Sequence, residues 1–359
     1  AAGQAVLLNL LASALIGILI VFLGDDFLRL LGAEPEVVAQ GQIFLNYLMT
    51  AVLMVGLLMA SNVIMKAHGN TRTPMLIMLF INILNIILDY ALIFGKLGFP
   101  EYGLHGSAIA SAVVNGLGGI VAFAGLLLGW YKIPLSLKDI FVIDKEILGK
   151  ILRISGPSMA ESALASGAYA VFTGIVASLG TLEIAVNSVL LRAESLSYMP
   201  GVGMSVAARI IIGQALGENN EEKASIAGIE ACKLGLLVMG FAGMLFFFFS
   251  EQIIGAFTTS EPVITMGARI LKVAGVVQPI QAVMFVLMGG LQGAGDTRTT
   301  MLISLAGFWM VRLPLAYLFG VYLGFGLMGA WGAMYIDVTI RALWSYFRFA
   351  GKKWVDIEI

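Results

Sequence analysis

The chain has 359 residues, of which 59% are hydrophobic and 12% charged, and its formal net charge is −1. A soluble domain carries about a quarter charged residues, and sequestering this much apolar surface from water would need a larger core than a chain of this length encloses. Continuous apolar runs at 7–23, 74–95, 109–130, 234–249 and 302–325 instead match the span of a bilayer, so the chain reads as an all-α, multi-pass integral membrane protein. The runs do not alternate at period two, which argues against a β-barrel. Cys232 is the single cysteine and lies inside an apolar run, so no disulfide framework exists. His68 and His105 sit far apart near loops and form no metal-ligand pattern, and the basic residues follow loops rather than one patch, which gives no nucleic-acid surface.

Turn residues and charges divide the chain into ten predicted spans, at about 3–23, 37–65, 74–95, 105–130, 147–178, 183–216, 222–249, 263–292, 300–320 and 326–349. The first opens on AAGQAVLLNL, with no initiator Met and no basic leader. The third carries Asn82, Asn85 and Asp89 on one helical face. The fourth holds Ser111, in GSAIAS. The fifth has Glu161 four residues after Pro157, among Ser158, Ser162 and Ser166; the sixth has Arg192 and Glu194. Arg312 precedes Pro314 in the ninth, and Asp337 and Arg341 stand at i, i+4 on the tenth.

Lys and Arg distribute unevenly between the two sides. Eleven fall in loops on one side (Lys66, Arg72, Lys132, Lys138, Lys145, Lys150, Lys223, Arg298, Arg348, Lys352 and Lys353) and two, Arg29 and Lys96, on the other. The positive-inside rule then places both ends of the given chain, and the 131–146 connector, in the cytoplasm.

The octapeptide GNTRTPML at 69–76 returns as GDTRTTML at 295–302, 226 residues later. AEPEVV from Ala33 parallels SEPVIT from Ser260, and GLHGSAIA from Gly103 parallels GLMGAWGA from Gly326. Six spans separate the octapeptides. The copies therefore have the same orientation, a parallel repeat about an axis along the membrane normal. Matching the copies leaves the first short by about eighty residues, two helices in length. The expectation is ten helices of a twelve-helix, two-lobe protein: an amino-terminal lobe at 1–130, the connector at 131–146 and a carboxy-terminal lobe at 147–359. Each octapeptide reads as a cytoplasmic turn, in which Asn70 or Asp296 accepts backbone hydrogen bonds and Thr73 or Thr299 caps the following helix.

Two homologous halves, the GNTRTP turn and LLRAESLSYMPGVGMSVAARIIIGQALGENN at 190–220 together resemble the multidrug and toxic compound extrusion (MATE) family. RAESLSYMPG and GQALG are most similar to its prokaryotic branch named for DNA-damage-inducible protein F. The resemblance implies a cation-coupled antiporter of the prokaryotic inner membrane, not an enzyme. It would use H⁺ or Na⁺ as its coupling ion and no other cofactor, exporting organic, lipophilic or cationic compounds by alternating access. Its partners would be small organic substrates and membrane lipids, and it would act as a monomer. A lipid-linked precursor flippase of the same superfamily is the alternative, although it would show a more basic cavity and additional helices.

Asp89 is the sharpest site candidate. A carboxylate at membrane depth costs about 2.5–3.5 kcal/mol on insertion scales, and its charge is removed by a proton or offset by a cation held with the Asn82 and Asn85 amides. The family's amino-terminal cation site has an Asn and an Asp spaced like Asn85 and Asp89. It adds a hydroxyl where Ser111 stands and a first-helix Asp that this chain lacks. Glu161 is a second coupling or cavity candidate, since some members place a cation-binding Glu on that helix. Glu194, Arg192, Arg312, Asp337 and Arg341 read as structural ion pairs, with Glu194 reaching Arg312 and Asp337 reaching Arg341. Met54, Met199, Met204, Met284 and Met288 are candidates to line an adaptable substrate cavity.

Overall fold

The computed structural model describes residues 2–30, 35–131, 135–142 and 144–354. Ala33 and Glu34 of the AEPEVV motif, Lys132, and the side chain of Arg29 lie outside the described residues. Ten long helical stretches fill the ten predicted spans: α1 (Ala2–Leu30), α2 (Pro35–Ala67), α3 (Arg72–Ile93) and α4 (Leu104–Leu127), then α6 (Lys145–Leu179), α7 (Thr181–Gly217), α8 (Glu221–Phe248) and α10 (Glu261–Gly293). The ninth is built from α11 (Thr297–Leu305) and α12 (Leu313–Ala316), and the tenth is α13 (Gly326–Ala350). Two short helices were not expected from the sequence, α5 (Leu137–Phe141) inside the connector and α9 (Ser250–Gly255). Among the described residues nine stretches are long and apolar enough to cross a membrane. The remaining long helix, α13, carries Asp337, Arg341 and Arg348.

The ninth span is not a uniform α-helix. The turns widen to π-helix over Ala306–Arg312 and again over Tyr317–Tyr322, on either side of α12. Pro314 has no N–H to give the carbonyl one turn earlier, and insertion of extra residues per turn is one way a helix accommodates such a break.

The chain divides into two compact units, Ala1–Ile151 and Leu152–Ile359. In the first, glycines allow close helix approach. Gly119 of α4 lies against the Met54 carbonyl of α2, and Gly106 of α4 against the Leu92 carbonyl of α3. Val6, Leu58, Met65, Ile81, Val114 and Leu126 join α1 to α4 in one buried cluster. A reciprocal capping box, Ser136 with Asp139, starts α5. In the second unit, Gly289 and Gly293 of α10 lie against the Ser205 and Arg209 carbonyls of α7, and Gly243 of α8 lies against the Gly275 carbonyl of α10. Trp331, Leu190, Ile270 and Leu271 anchor the core around them.

The repeated octapeptides form the same turn twice. Gly69 and Gly295 both have φ of 81°, in the left-handed region open to glycine. The N–H of Asn70 bonds to the Met65 carbonyl and that of Gly69 to Lys66, while Asp296 bonds to Leu291 and Gly295 to Gln292. These are Schellman helix ends. Asn70 Oδ1 accepts from the Thr73 N–H at 3.1 Å, as expected. Thr73 and Thr299, however, lie inside α3 and α11 rather than capping them; the helices begin one or more residues earlier, and Thr299 donates its hydroxyl to Asp296 at 2.6 Å. The second turn is further fixed by an Arg348–Asp296 ion pair at 2.7 Å.

Candidate functional site

On α3, the apolar run contains three polar side chains, and their fates differ. Asn82 is exposed, and its amide donates to the carbonyl of Met78 on its own helix at 2.7 Å. Asn85 and Asp89 are half-buried, and Asn85 Nδ2 and Asp89 Oδ1 are buried atoms without a hydrogen-bond partner. A donor and an acceptor one helical turn apart are thus both unsatisfied within an apolar helix. Helix α4 packs antiparallel beside them. Leu92 opposite Gly106 and Ile81 opposite Gly118 set Ser111 at the level of positions 87 and 88, between Asn85 and Asp89. Ser111 is half-buried, and its carbonyl accepts from Asn115 at 2.8 Å.

Glu161 on α6 has partners other than those its sequence neighbours suggest. Ser158, Ser162 and Ser166 donate back to the Ile154, Ser158 and Ser162 carbonyls of their own helix. Hydroxyls on a helix do this readily, so those serines do not surround the carboxylate. Gln292 Nε2 of α10 donates to Glu161 Oε2 at 3.1 Å, Thr300 Oγ1 of α11 to Oε2 at 3.3 Å, and Ser304 Oγ to Oε1 at 2.7 Å. Arg209 of α7 in turn donates to Gln292 Oε1 and interacts electrostatically with Glu161. Sequence reasoning missed Arg209, Gln292, Thr300 and Ser304. The one signal available was the i, i+4 spacing of Thr300 and Ser304, just inside the second octapeptide's helix. Glu161→Ala removes the acceptor for the Ser304 hydroxyl, itself 2% exposed, and for the Gln292 amide. The expected result is a loss of about 1–3 kcal/mol, read as a lower unfolding midpoint in detergent. A midpoint equal to wild type would show that the cluster holds nothing together.

The remaining charges gather in the carboxy-terminal unit. Asp337, fully buried, accepts from Arg341 Nε at 2.8 Å and Arg341 NH2 at 2.8 Å, and also from Arg312 Nε at 2.9 Å. Both guanidinium groups also lie over the Phe308 ring, at 4.8 Å for Arg312 and 4.3 Å for Arg341. The backbone admits this cluster because Gly307 has no Cβ, which would collide with Asp337 and Arg341. Arg312 therefore pairs with Asp337 and not, as the sequence suggested, with Glu194. Glu194 is buried and interacts with Arg312 electrostatically without an ion pair. Arg192 is exposed.

Glu194, Arg312 and Arg341 border a cavity of about 510 Å³ in this unit, walled by Tyr169, Phe172, Tyr198, Phe285 and Phe308. Of the five methionine candidates, Met284 lines it. Met288 is buried beside Met284 in a small apolar cluster. Met54 packs on the core of the other unit, Met204 is half-buried, and Met199 is 65% exposed. Among the described residues no three His, Cys, Asp or Glu side chains group closely enough to hold a metal ion.

The family model described as MatE matches residues 1–91 and 157–318. A probable multidrug resistance protein NorM of Thermotoga maritima is 31% identical over 328 residues, covering 89% of this chain and 69% of that protein. The uncharacterized transporter YisQ of Bacillus subtilis is 26% identical over 348 residues, 97% of this chain and 76% of its own length. Among solved structures, the outward-facing conformation of a multidrug resistance MATE family transporter of the MOP superfamily superposes with a TM-score of 0.89. It is 24% identical and is matched over 98% of this chain and 79% of that one. A MATE structure in the bent conformation gives 0.87 at 24% identity, over 98% and 78%. At that identity the structures establish the fold.

Proposed function

The chain belongs to the MatE family of membrane transporters, and from that premise we propose that it is a cation-coupled secondary antiporter that exports organic compounds by alternating access. The observation that carries this reading is the unsatisfied pair on α3, Asn85 Nδ2 and Asp89 Oδ1. An uncompensated carboxylate at membrane depth takes up a proton or a cation, and the Asn85 amide is one turn away to share in the rearrangement. Ion binding biases the transport cycle only through a difference in affinity between its two states. The same coupling must act in reverse, so bound substrate changes the affinity for the ion.

In this reading Ser111 contributes its hydroxyl to the Asp89 site from α4, Asn82 lies at its edge, and Glu161 is a second coupling group in the carboxy-terminal lobe. The lobes are 1–130 and 147–359, joined by a cytoplasmic connector at 131–146. Both ends of the given chain face the cytoplasm of a prokaryotic cell, and the transporter works as a monomer. The test is export of a fluorescent lipophilic cation from proteoliposomes under an imposed pH gradient, a Na⁺ gradient or neither. Export under one gradient alone supports the proposal and names the ion. Equal export under all three conditions overturns it.

A further inference from the structure

At the end of the carboxy-terminal unit away from the second octapeptide turn, the starts of α7, α10 and α13 border an open groove of about 620 Å³. One stripe of α10 lines it with Glu261, Thr265 and Arg269, spaced at i, i+4 and i+8, and the adjacent stripe with Pro262 and Met266. Helix α7 adds Leu182 and Glu183, and the start of α13 adds Phe325 and Met328. Phe325 stands between Gly324 and Gly326, whose φ of 73° and 58° lie in the left-handed region open to glycine, and it is 63% exposed.

Three charges share this groove without pairing. Arg269 and Glu261 are exposed and Glu183 is half-buried. None of them makes a hydrogen bond or ion pair through its side chain among the described residues, whereas Lys272, further along α10, pairs with Glu251 at 3.8 Å. The fold does not require the polar stripe. In the other copy of the repeat, aligned on AEPEVV and SEPVIT, Val38 and Gln42 stand where Thr265 and Arg269 stand. Both carboxylates lie in the first turn of their helices, where the helix N-terminus offsets part of their charge. Arg269 lies eight residues, about 12 Å, further along α10. The order from the helix start inward is therefore acid, hydroxyl, guanidinium, with apolar side chains alongside.

From this order we infer that the groove binds the headgroup of a phosphatidylethanolamine. A phospholipid in a bilayer presents the same sequence of chemistry, with the ammonium outermost, the phosphate next and the acyl chains deepest. The ammonium meets Glu183 and Glu261, the phosphate meets Arg269 and the Thr265 hydroxyl, and Met266, Phe325 and Met328 take the apolar part. Arg269 calls for an anion and the two acids for a cationic N–H donor, and such charge-assisted bonds are the strong ones. Phosphatidylcholine offers the carboxylates no N–H, and phosphatidylglycerol offers them no cation.

The inference is independent of ion coupling. Only the leaflet follows from the cytoplasmic placement of the octapeptide turns, which makes it the outer one. The experiment is titration of the full chain in detergent with each of three lipids that share the same acyl chains, phosphatidylethanolamine, phosphatidylcholine and phosphatidylglycerol, read as bound lipid by native mass spectrometry. Phosphatidylethanolamine is expected to bind at least about tenfold more tightly than the other two. Glu183→Gln/Glu261→Gln should bring it down to the level of phosphatidylcholine, and Arg269→Gln should weaken all three about tenfold. Asp89→Asn should bind as the wild type does, which separates failure here from failure of the coupling site. O-Phosphoethanolamine, the headgroup alone, should compete poorly, because it leaves the apolar side chains uncovered. Equal binding of the three lipids by the wild type would overturn the inference, whatever the fate of the variants. So would affinities indifferent to Arg269→Gln in a protein of unchanged unfolding midpoint, or O-phosphoethanolamine binding as tightly as the lipid, which would assign the groove to a soluble ligand.

Discussion

Asp89→Asn is expected to reduce gradient-driven export to the level of protein-free vesicles while leaving the protein folded. The substitution keeps the shape of the side chain and removes the single carboxylate of α3. The carboxylate has an oxygen, Oδ1, buried without a donor. An Asn in its place carries no charge to desolvate. The unfolding midpoint should therefore stay constant or rise, since an intramembrane charge worth about 2.5–3.5 kcal/mol on insertion scales has been deleted. Loss of transport together with loss of the fold would have a trivial explanation, so both readouts are needed. Retained export with an intact ion dependence would remove Asp89 from the coupling site. Asn85→Leu is the companion measurement: if the amide helps hold the ion, the ion concentration for half-maximal export rises while the maximal rate changes less.

Membrane architecture was legible in this sequence because each span is a long apolar run with turn residues at its ends. All ten predicted spans have a helical counterpart. What the runs concealed is instructive in physical terms. In helices that are apolar all round, no periodicity tells core from lipid, and so five methionines of similar setting proved to include one buried beside the cavity, Met284, and one largely exposed, Met199. Pro314 announced a break in the ninth span, but the π-helical turns around it depend on packing that is not local, such as Gly307 against Asp337 and Arg341. Polar pairs one turn apart on a single helix were readable, as with Asp337 and Arg341. Glu161 finds its partners 131, 139 and 143 residues away, and that distance carries no signal in a single sequence. The serines nearest Glu161 in the chain were misleading for a local reason, because their hydroxyls return to the backbone of their own helix.

Asp337→Asn should be the most destabilising of the substitutions considered. Asp337 is fully buried and accepts hydrogen bonds from two arginines, so its neutralisation leaves two guanidinium groups in the interior facing an amide that offers them one acceptor. Breaking a buried ion pair from one side costs about 3–5 kcal/mol, and here one change breaks two. Arg341→Met should cost less, because Arg312 still neutralises Asp337 at 2.7 Å and the methionine retains the apolar contact with Phe308. The double variant Asp337→Asn/Arg341→Met separates charge from packing. If the cluster is held by pairing, the second substitution relieves part of the first, and the two losses are strongly non-additive. Additive losses would instead mean that the arginines are held by their stems and by the Phe308 ring, with the carboxylate a minor partner. Unfolding midpoints of the three variants in one detergent decide between these outcomes, with Arg192→Gln, at an exposed position of α7, as the reference for a change of charge of small effect.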